Sequence, residues 1–93
     1  MSIPFSSTIT ISSEVLAQEV DGETVLLDLQ SESYFGLDAV GTRIWQLLNE
    51  HNELQKVFDT LLEEYDVDAK QLENDLHDLV KKLIDQKLIT AST

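Results

Sequence analysis

The sequence contains no cysteine, one proline, three glycines and few basic residues. The missing cysteines exclude a disulfide scaffold, a thiolate metal site and a cysteine nucleophile. No apolar run approaches the roughly 20 residues of a transmembrane helix, so we expect no contact with a membrane. The first residues lack the basic head and long apolar stretch of a secretory signal, and we therefore expect a cytoplasmic protein.

The charge balance is strongly acidic, with 18 Asp and Glu against 6 Lys and Arg and a net charge of −12. Such a surface repels phosphate backbones, so nucleic acid is not an expected partner. It favours a basic or neutral protein or peptide, or it simply keeps a small domain in solution. A length of 93 residues with 42% hydrophobic residues predicts one folded domain over residues 1–93, with its core at about 14–90.

Residue patterns that carry chemistry are also missing. His51 and His77 have no metal-binding partner at a useful spacing, so both are predicted to be surface residues. Asp66 and Asp68 resemble the start of a calcium loop, but the required glycine and the closing acid are absent, and helix capping explains them better. There is no glycine-rich phosphate loop. The sequence therefore predicts a protein without catalytic activity, cofactor or metal.

The first half of the chain predicts three strands in a meander. Asp21-Gly22 is a strong hairpin signal between strands at residues 14–20 and 24–29. The second strand is almost continuously apolar, which indicates a central position or cover on both faces. The third strand, at residues 34–37, is short and contains Gly36, as expected of an edge strand. An extended segment around Ile9 and Ile11 is also expected, and whether it joins the sheet stays open.

The second half predicts three helices. Asp38 is the expected N-cap of a helix over about residues 39–49. Asn52 with Gln55, and Asp68 with Gln71, form capping-box patterns for two further amphipathic helices, the last ending near residue 86. Residues 88–89 are expected to be extended, followed by a frayed tail. The sum is an α+β fold, a winged helix-turn-helix with a three-stranded antiparallel sheet followed by a three-helix bundle.

A winged helix of this charge is better suited to peptides than to DNA. The edge strand offers unpaired backbone groups to which an extended peptide can add as a further strand. A proline at the strand centre, Phe35→Pro, is expected to abolish such binding by removing a ladder donor. Trp45 is expected in the core. Asp28 is interpreted as a solvent-facing strand residue, the alternative being a buried acceptor for a loop amide.

The run VLLDLQSESYFGLDAVGTRIWQLL, followed by two capped amphipathic helices, closely resembles the PqqD-like family, the leader-peptide recognition elements of ribosomally made, modified peptides. Within this family, the aromatic Tyr-Phe-Gly-Leu strand and the Ile-Trp pair are most similar to those of the stand-alone recognition proteins of lasso-peptide clusters. The resemblance implies capture of the precursor's leader as a strand antiparallel to the third strand, against the third helix. A separately encoded leader peptidase would then receive the precursor, and a cyclase would act afterwards.

The resemblance also implies the contact residues. On the edge strand they are Ser33, Tyr34, Phe35, Gly36 and Leu37. On one flank of the third helix they are Leu72, Asp75, Leu76, Leu79 and Lys82. The opposite shoulder of that helix, Glu73 and His77, is the alternative, and the sequence does not choose between the two.

Two other functions remain open. One is a PqqD-like peptide chaperone for a radical-SAM enzyme or another enzyme that modifies ribosomal peptides. The other, of a different class, is an acidic winged-helix transcription regulator. The oligomeric state is open as well, between a monomer and a weak dimer paired through the free strand edge.

Overall fold

The computed structural model describes residues 5–92. The order of elements is β-β-β-β-α-α-α-β. The bounds are β1 Thr8–Ile11, β2 Val15–Val20, β3 Glu23–Asp28, β4 Ser33–Leu37, α1 Ala39–Glu50, α2 Leu54–Glu64, α3 Ala69–Asp85 and β5 Ile89–Ser92.

The predicted meander is confirmed as an antiparallel sheet in the order β2-β3-β4. Asp21 and Gly22 join β2 to β3 with positive φ values of 54° and 82°, the backbone that a two-residue type I′ hairpin requires. This turn sets Val20 opposite Glu23. The central strand β3 has Leu26 fully buried towards the helices, whereas Val25 is 42% exposed on the other face. The strand is therefore central but covered on one face only.

The turn between β3 and β4 corrects the interpretation of Asp28. Its side chain is 7% exposed and accepts hydrogen bonds from the backbone amide of Gln30 (3.1 Å) and the hydroxyl of Ser31 (2.7 Å). A buried carboxylate needs such donors. Asp28 thus holds the turn that leads into β4, and the prediction that it faces solvent was wrong.

Two of the three predicted helix caps are confirmed. The side chain of Asp38 accepts from the amide of Gly41 at 2.8 Å, and that of Asp68 accepts from the amide of Gln71 at 3.1 Å. The prediction that Asn52 is the N-cap of the second helix was wrong. Helix α2 begins after Glu53, which makes no side-chain capping bond.

A second sheet, of two strands, was not predicted. Strand β1 does not join the meander but pairs antiparallel with β5, so that Ile9 lies opposite Ala91 and Ile11 opposite Ile89. The residues expected to fray after residue 89 are therefore part of a ladder. Ile9 and Ile89 are buried, with 2% and 1% exposure. Their burial ties both ends of the described chain to the helices.

The core lies between the inner face of the β2-β3-β4 sheet and the three helices, and Trp45 is part of it as predicted. This is the expected α+β winged-helix arrangement. The buried core residues are Ile9, Leu26, Leu37, Ile44, Trp45, Leu47, Leu48, Leu54, Val57, Leu61, Leu72, Leu76, Val80, Leu83, Leu88 and Ile89.

Candidate functional site

Strand β4 forms an open edge of the three-stranded sheet. It pairs with β3 on one side, and within residues 5–92 no strand pairs with its other side. Unpaired backbone amides and carbonyls at such an edge are ready to bind another extended chain. The edge strand expected from the sequence is therefore present, at Ser33–Leu37.

Two hydrogen bonds at the end of β3, one of them from the residue that follows the strand, determine which groups of β4 stay open. The Leu29 amide donates to a carbonyl that precedes β2 (2.8 Å), whereas the Asp28 carbonyl accepts from the turn leading into β4 (2.7 Å). Successive residues of an antiparallel strand bond to alternate sides, so the even-numbered residues of β3 bond to β4. Their register partners in β4 are Ser33, Phe35 and Leu37. The N–H and C=O groups of Tyr34 and Gly36 therefore point to the open edge.

This alternation corrects the proline experiment suggested by the sequence. The amide of Phe35 faces β3, opposite Leu26, and belongs to the protein's own ladder. Phe35→Pro would therefore damage the sheet itself and would not test the open edge. The informative position is Tyr34, whose amide faces outward and whose side chain is 74% exposed.

A groove of about 490 Å³ runs between β4, the start of α1 and α3. Apolar side chains from all three elements line it, together with three carboxylates and one lysine. Its lining residues are Phe35, Gly36, Leu37, Asp38, Val40, Gly41, Ile44, Asp75, Asp78, Leu79 and Lys82. The groove therefore combines an apolar lining with an acidic border, beside the unpaired backbone of β4.

The predicted residues of α3 divide into two groups. Asp75, Leu79 and Lys82 line the groove. Leu72 and Leu76 do not, because they are 5% and 0% exposed and pack within the core.

The alternative shoulder of α3 is turned away from this groove. Neither Glu73 nor His77 is among the lining residues. The ring of His77 instead lies 4.8 Å from that of Phe5, and the histidine is half-buried. His51, at the C-cap of α1, is also half-buried. Both histidines therefore lie at the surface, as predicted, but each is partly covered by its neighbours.

The predicted residues of β4 are also divided. Phe35, Gly36 and Leu37 line the groove, with Phe35 half-buried and Leu37 buried against the helices. Ser33 and Tyr34 are exposed and lie outside its lining. Tyr34 would contribute to a bound strand through its backbone and, on the opposite face of the sheet, through its side chain, whereas the backbone of Ser33 bonds to β3.

The sequence reasoning missed the contribution of α1. Only Asp38 separates β4 from α1, so the first turn of the helix necessarily borders the groove. A Cβ on Gly41 would lie 3.3 Å from both Leu37 Cβ and Asp38 Oδ1, which explains why a glycine suits this close approach. The short link between strand and helix was the signal that could have found Val40, Ile44 and Gly41.

Away from the groove, an ion pair joins α1 to α2. Arg43 donates to both carboxylate oxygens of Glu64, and this hydrogen bonding lowers the pKa of Glu64 while raising that of Arg43. Arg43 also donates to Gln46, whose amide donates to Glu19 on β2. The network links two helices to the sheet and lies outside the groove lining.

No group of three or more His, Cys, Asp or Glu that could hold a metal ion occurs among residues 5–92. In the same part of the chain, no helix has the length and apolar character needed to cross a membrane.

The chain is similar to known proteins over most of its length. The family model of PqqD, coenzyme PQQ synthesis protein D, matches residues 23–89, which is more than half of the chain. The chain belongs to the PqqD family. No curated protein matches it.

Two solved structures resemble this PqqD-family chain along most of its length. TbiB1 in complex with the TbiA(beta) leader peptide is 42% identical, with a TM-score of 0.82, and the match covers 89% of this chain and 96% of TbiB1. Lasso peptide synthetase B1, complexed with the leader peptide, is 27% identical, with a TM-score of 0.72 and coverage of 89% and 98%. Both relatives are thus bound to leader peptides.

Proposed function

We propose that this PqqD-family protein binds the leader of a ribosomally made precursor peptide without catalysing a reaction, and delivers it to a separately encoded leader peptidase in lasso-peptide biosynthesis. The observation that carries the proposal is the unpaired edge of β4 beside an apolar groove. The leader complexes of the two similar structures support it.

The leader adds to β4 as an antiparallel strand. The outward N–H and C=O groups of Tyr34 and Gly36 supply main-chain hydrogen bonds, which give affinity for any extended peptide. Alternate leader side chains then point into the groove, where Phe35, Leu37 and Leu79 provide apolar contacts. Asp75 and Lys82 border these contacts and add charge selectivity.

This chain needs no chemistry of its own to deliver the precursor. It only has to hold the leader while the peptidase binds. A peptidase that binds both the domain and its cargo meets the cleavage site at a raised effective concentration. A cyclase acts afterwards on the released core. We expect a leader affinity between about micromolar and nanomolar, on the order of −8 to −12 kcal/mol.

A second candidate partner is a radical-SAM enzyme or another peptide-modifying enzyme. The matching family model, whose description is a coenzyme PQQ synthesis protein, favours it. The same groove would hold the leader in both cases, so the enzyme that accepts the bound precursor distinguishes the two.

The test is an amide NMR titration of labelled protein with the leader half of a lasso precursor from the same genome, with a scrambled leader as control. We expect shifts at Ser33–Leu37 and at Asp75, Leu79 and Lys82, and none at Glu73. Shifts centred on Glu73 and His77 would move the site to the other shoulder of α3. No shifts at high peptide concentration would contradict the lasso assignment.

A further inference from the structure

The three-stranded sheet has a second open edge, at β2. Strand β2 pairs with β3, and no other strand within residues 5–92 covers its far side. The Leu29 amide of β3 donates to a carbonyl that immediately precedes β2, so the even-numbered residues of β2 bond to β3 by alternation along the ladder. The N–H and C=O groups of Val15, Ala17 and Glu19 therefore point away from the sheet.

The β2 edge lacks the features that normally keep an exposed strand from pairing. Natural edge strands carry a lysine, a proline or a bulge, or they are covered by another element. Strand β2 contains neither lysine nor proline, and its register with β3 runs without a bulge from Val15 to Val20. All of its residues except Val15 are exposed. This edge is therefore a ready template for another extended chain.

A groove of about 420 Å³, here called the α1 groove, lies beside this edge between β2 and α1. Ala17 and Glu19 line it from the strand, because their register partners Leu26 and Thr24 are buried on the helix side of the sheet. The other lining residues are Thr24, Trp45, Gln46, Asn49 and Glu50. Strand β2 thus repeats the combination of an open edge and an adjacent helix groove that is found at β4.

Hydrogen bonds between side chains fix the wall of the α1 groove. The Gln46 amide donates to the two carboxylate oxygens of Glu19 at 3.1 and 3.2 Å, which joins α1 to β2. Gln46 in turn accepts from Arg43 at 3.1 Å, and Arg43 is held by Glu64 of α2. The groove is therefore formed before any partner binds, and a ligand has little side-chain ordering to bring about.

The charge of the α1 groove indicates what it binds. Glu19 and Glu50 are its charged lining residues, and neither forms an ion pair among the described residues. The guanidinium of Arg43, which reaches the same network, is engaged by Glu64. The groove beside β4 differs, because Lys82 and several apolar side chains line it. A segment with Lys or Arg side chains is complementary to the α1 groove.

We propose that the β2 edge and the α1 groove form a second strand-addition site, which binds an extended segment of a separate protein with Lys or Arg at alternate positions. Main-chain bonds to Val15, Ala17 and Glu19 hold the segment. Opposite residues of neighbouring strands point to the same face, so its residues opposite Ala17 and Glu19 direct their cationic side chains into the α1 groove. Because β3 separates β2 from β4, a leader at β4 leaves this site free.

The experiment is an amide NMR titration of the labelled, leader-free protein with the synthetic peptide acetyl-Thr-Lys-Val-Lys-Val-Lys-Thr-amide. Its lysines alternate with valines, so in an extended chain they all point to one face. The matched peptide has glutamine in place of every lysine. We expect shifts at Val15, Ala17, Glu19, Gln46 and Glu50, and a dissociation constant that is lower for the lysine peptide by about fivefold or more.

Two pairs of variants separate the backbone bonds from the charge. Ala17→Pro removes an outward amide that the protein's own ladder does not use, whereas Ala17→Ser keeps it, so the first should bind the lysine peptide more weakly by about fivefold or more. Glu19→Gln/Glu50→Gln should lose the preference for the lysine peptide. Glu63→Gln/Asp85→Asn, which removes the same charge from α2 and α3 outside both grooves, should keep it.

Several outcomes would overturn the second site. They are no shifts at millimolar lysine peptide, shifts confined to Ser33–Leu37, and equal affinity for the two peptides. Shifts of the β2 amides that grow with protein concentration in the absence of peptide would assign the edge to a second copy and would also overturn it. Leader binding is reported by the amides of β4, so a failure of the proposed function would leave a positive result at β2 unchanged.

Discussion

Replacing Tyr34 by proline is the sharpest test of strand addition. The outward amide of Tyr34 would donate to a leader carbonyl, and proline removes that donor. Because this amide lies outside the protein's own ladder, the fold loses no hydrogen bond. Proline is also tolerated on edge strands, and the lost side chain is 74% exposed. The variant should therefore fold.

The expected loss of affinity follows from the leader carbonyl that is left without a donor. Such a group costs about 1–3 kcal/mol, which corresponds to leader binding that is weaker by about fivefold to 150-fold. Tyr34→Ala is the control, because it removes the same side chain and keeps the amide. The ratio of the two dissociation constants, measured by anisotropy with a labelled leader, isolates the backbone bond.

Hydrogen exchange supplies an independent check on the same prediction. The amides of Tyr34 and Gly36 should exchange rapidly in the free protein and become protected when leader is added, whereas that of Phe35 should be protected in both states. A folded Tyr34→Pro variant that binds leader within twofold of Tyr34→Ala would refute the reasoning. Protection of Phe35 only on leader addition would show that the alternation along β4 is inverted.

Three further predictions concern stability and the division of α3. Thr42→Val should raise the free energy of unfolding by about 1 kcal/mol, because the buried Thr42 hydroxyl has no hydrogen-bond partner among the described residues; a lower melting temperature would contradict this. The lowered pKa of Glu64 means that its pair with Arg43 stabilises the fold above the ordinary carboxyl pKa, and that this contribution is lost as pH falls through the lowered value. The free energy of unfolding, measured by urea denaturation at several acidic pH values, should therefore depend less on pH in Glu64→Gln than in the wild type. Identical pH profiles would count against the pair. Leu76→Ala should cost about 2–5 kcal/mol of stability, whereas Leu79→Ala should weaken leader binding more than folding; equal stability losses in urea titrations would argue against this division.

The sequence predicted the local elements well where a few adjacent residues determine the backbone. Asp21-Gly22 specified a two-residue hairpin because both residues adopt positive φ readily, and Asp38 specified a helix start through a hydrogen bond three residues away. The amphipathic spacing of α2 and α3 likewise indicated which sides are buried. These are short-range effects, and they require no knowledge of the rest of the fold.

The errors share a different cause. Whether Asp28 faces solvent depends on the amide of Gln30 and the hydroxyl of Ser31, which only the folded turn brings to it. Asn52 matched a capping pattern, yet α2 begins one residue later. The partners of Asp28 are close in sequence, but the burial of its side chain is set by the packing of the turn on the rest of the fold. At the start of α2, the amides of Leu54 and Gln55 donate to the carbonyls of Ser7 and Phe5, far away in the sequence, and need no side-chain cap.

The sequence by itself determined the winged-helix class, the order of the meander and the short edge strand, because hydrophobic periodicity and turn chemistry are local properties. Only the tertiary structure decided that residues 8–11 pair with residues 89–92, since nothing short-range brings the two ends of a chain together. It also decided that Asp75, Leu79 and Lys82 face β4 while Leu72 and Leu76 are buried. The rotation of α3 about its axis sets that choice, and the packing of its broad apolar face against the other helices fixes the rotation.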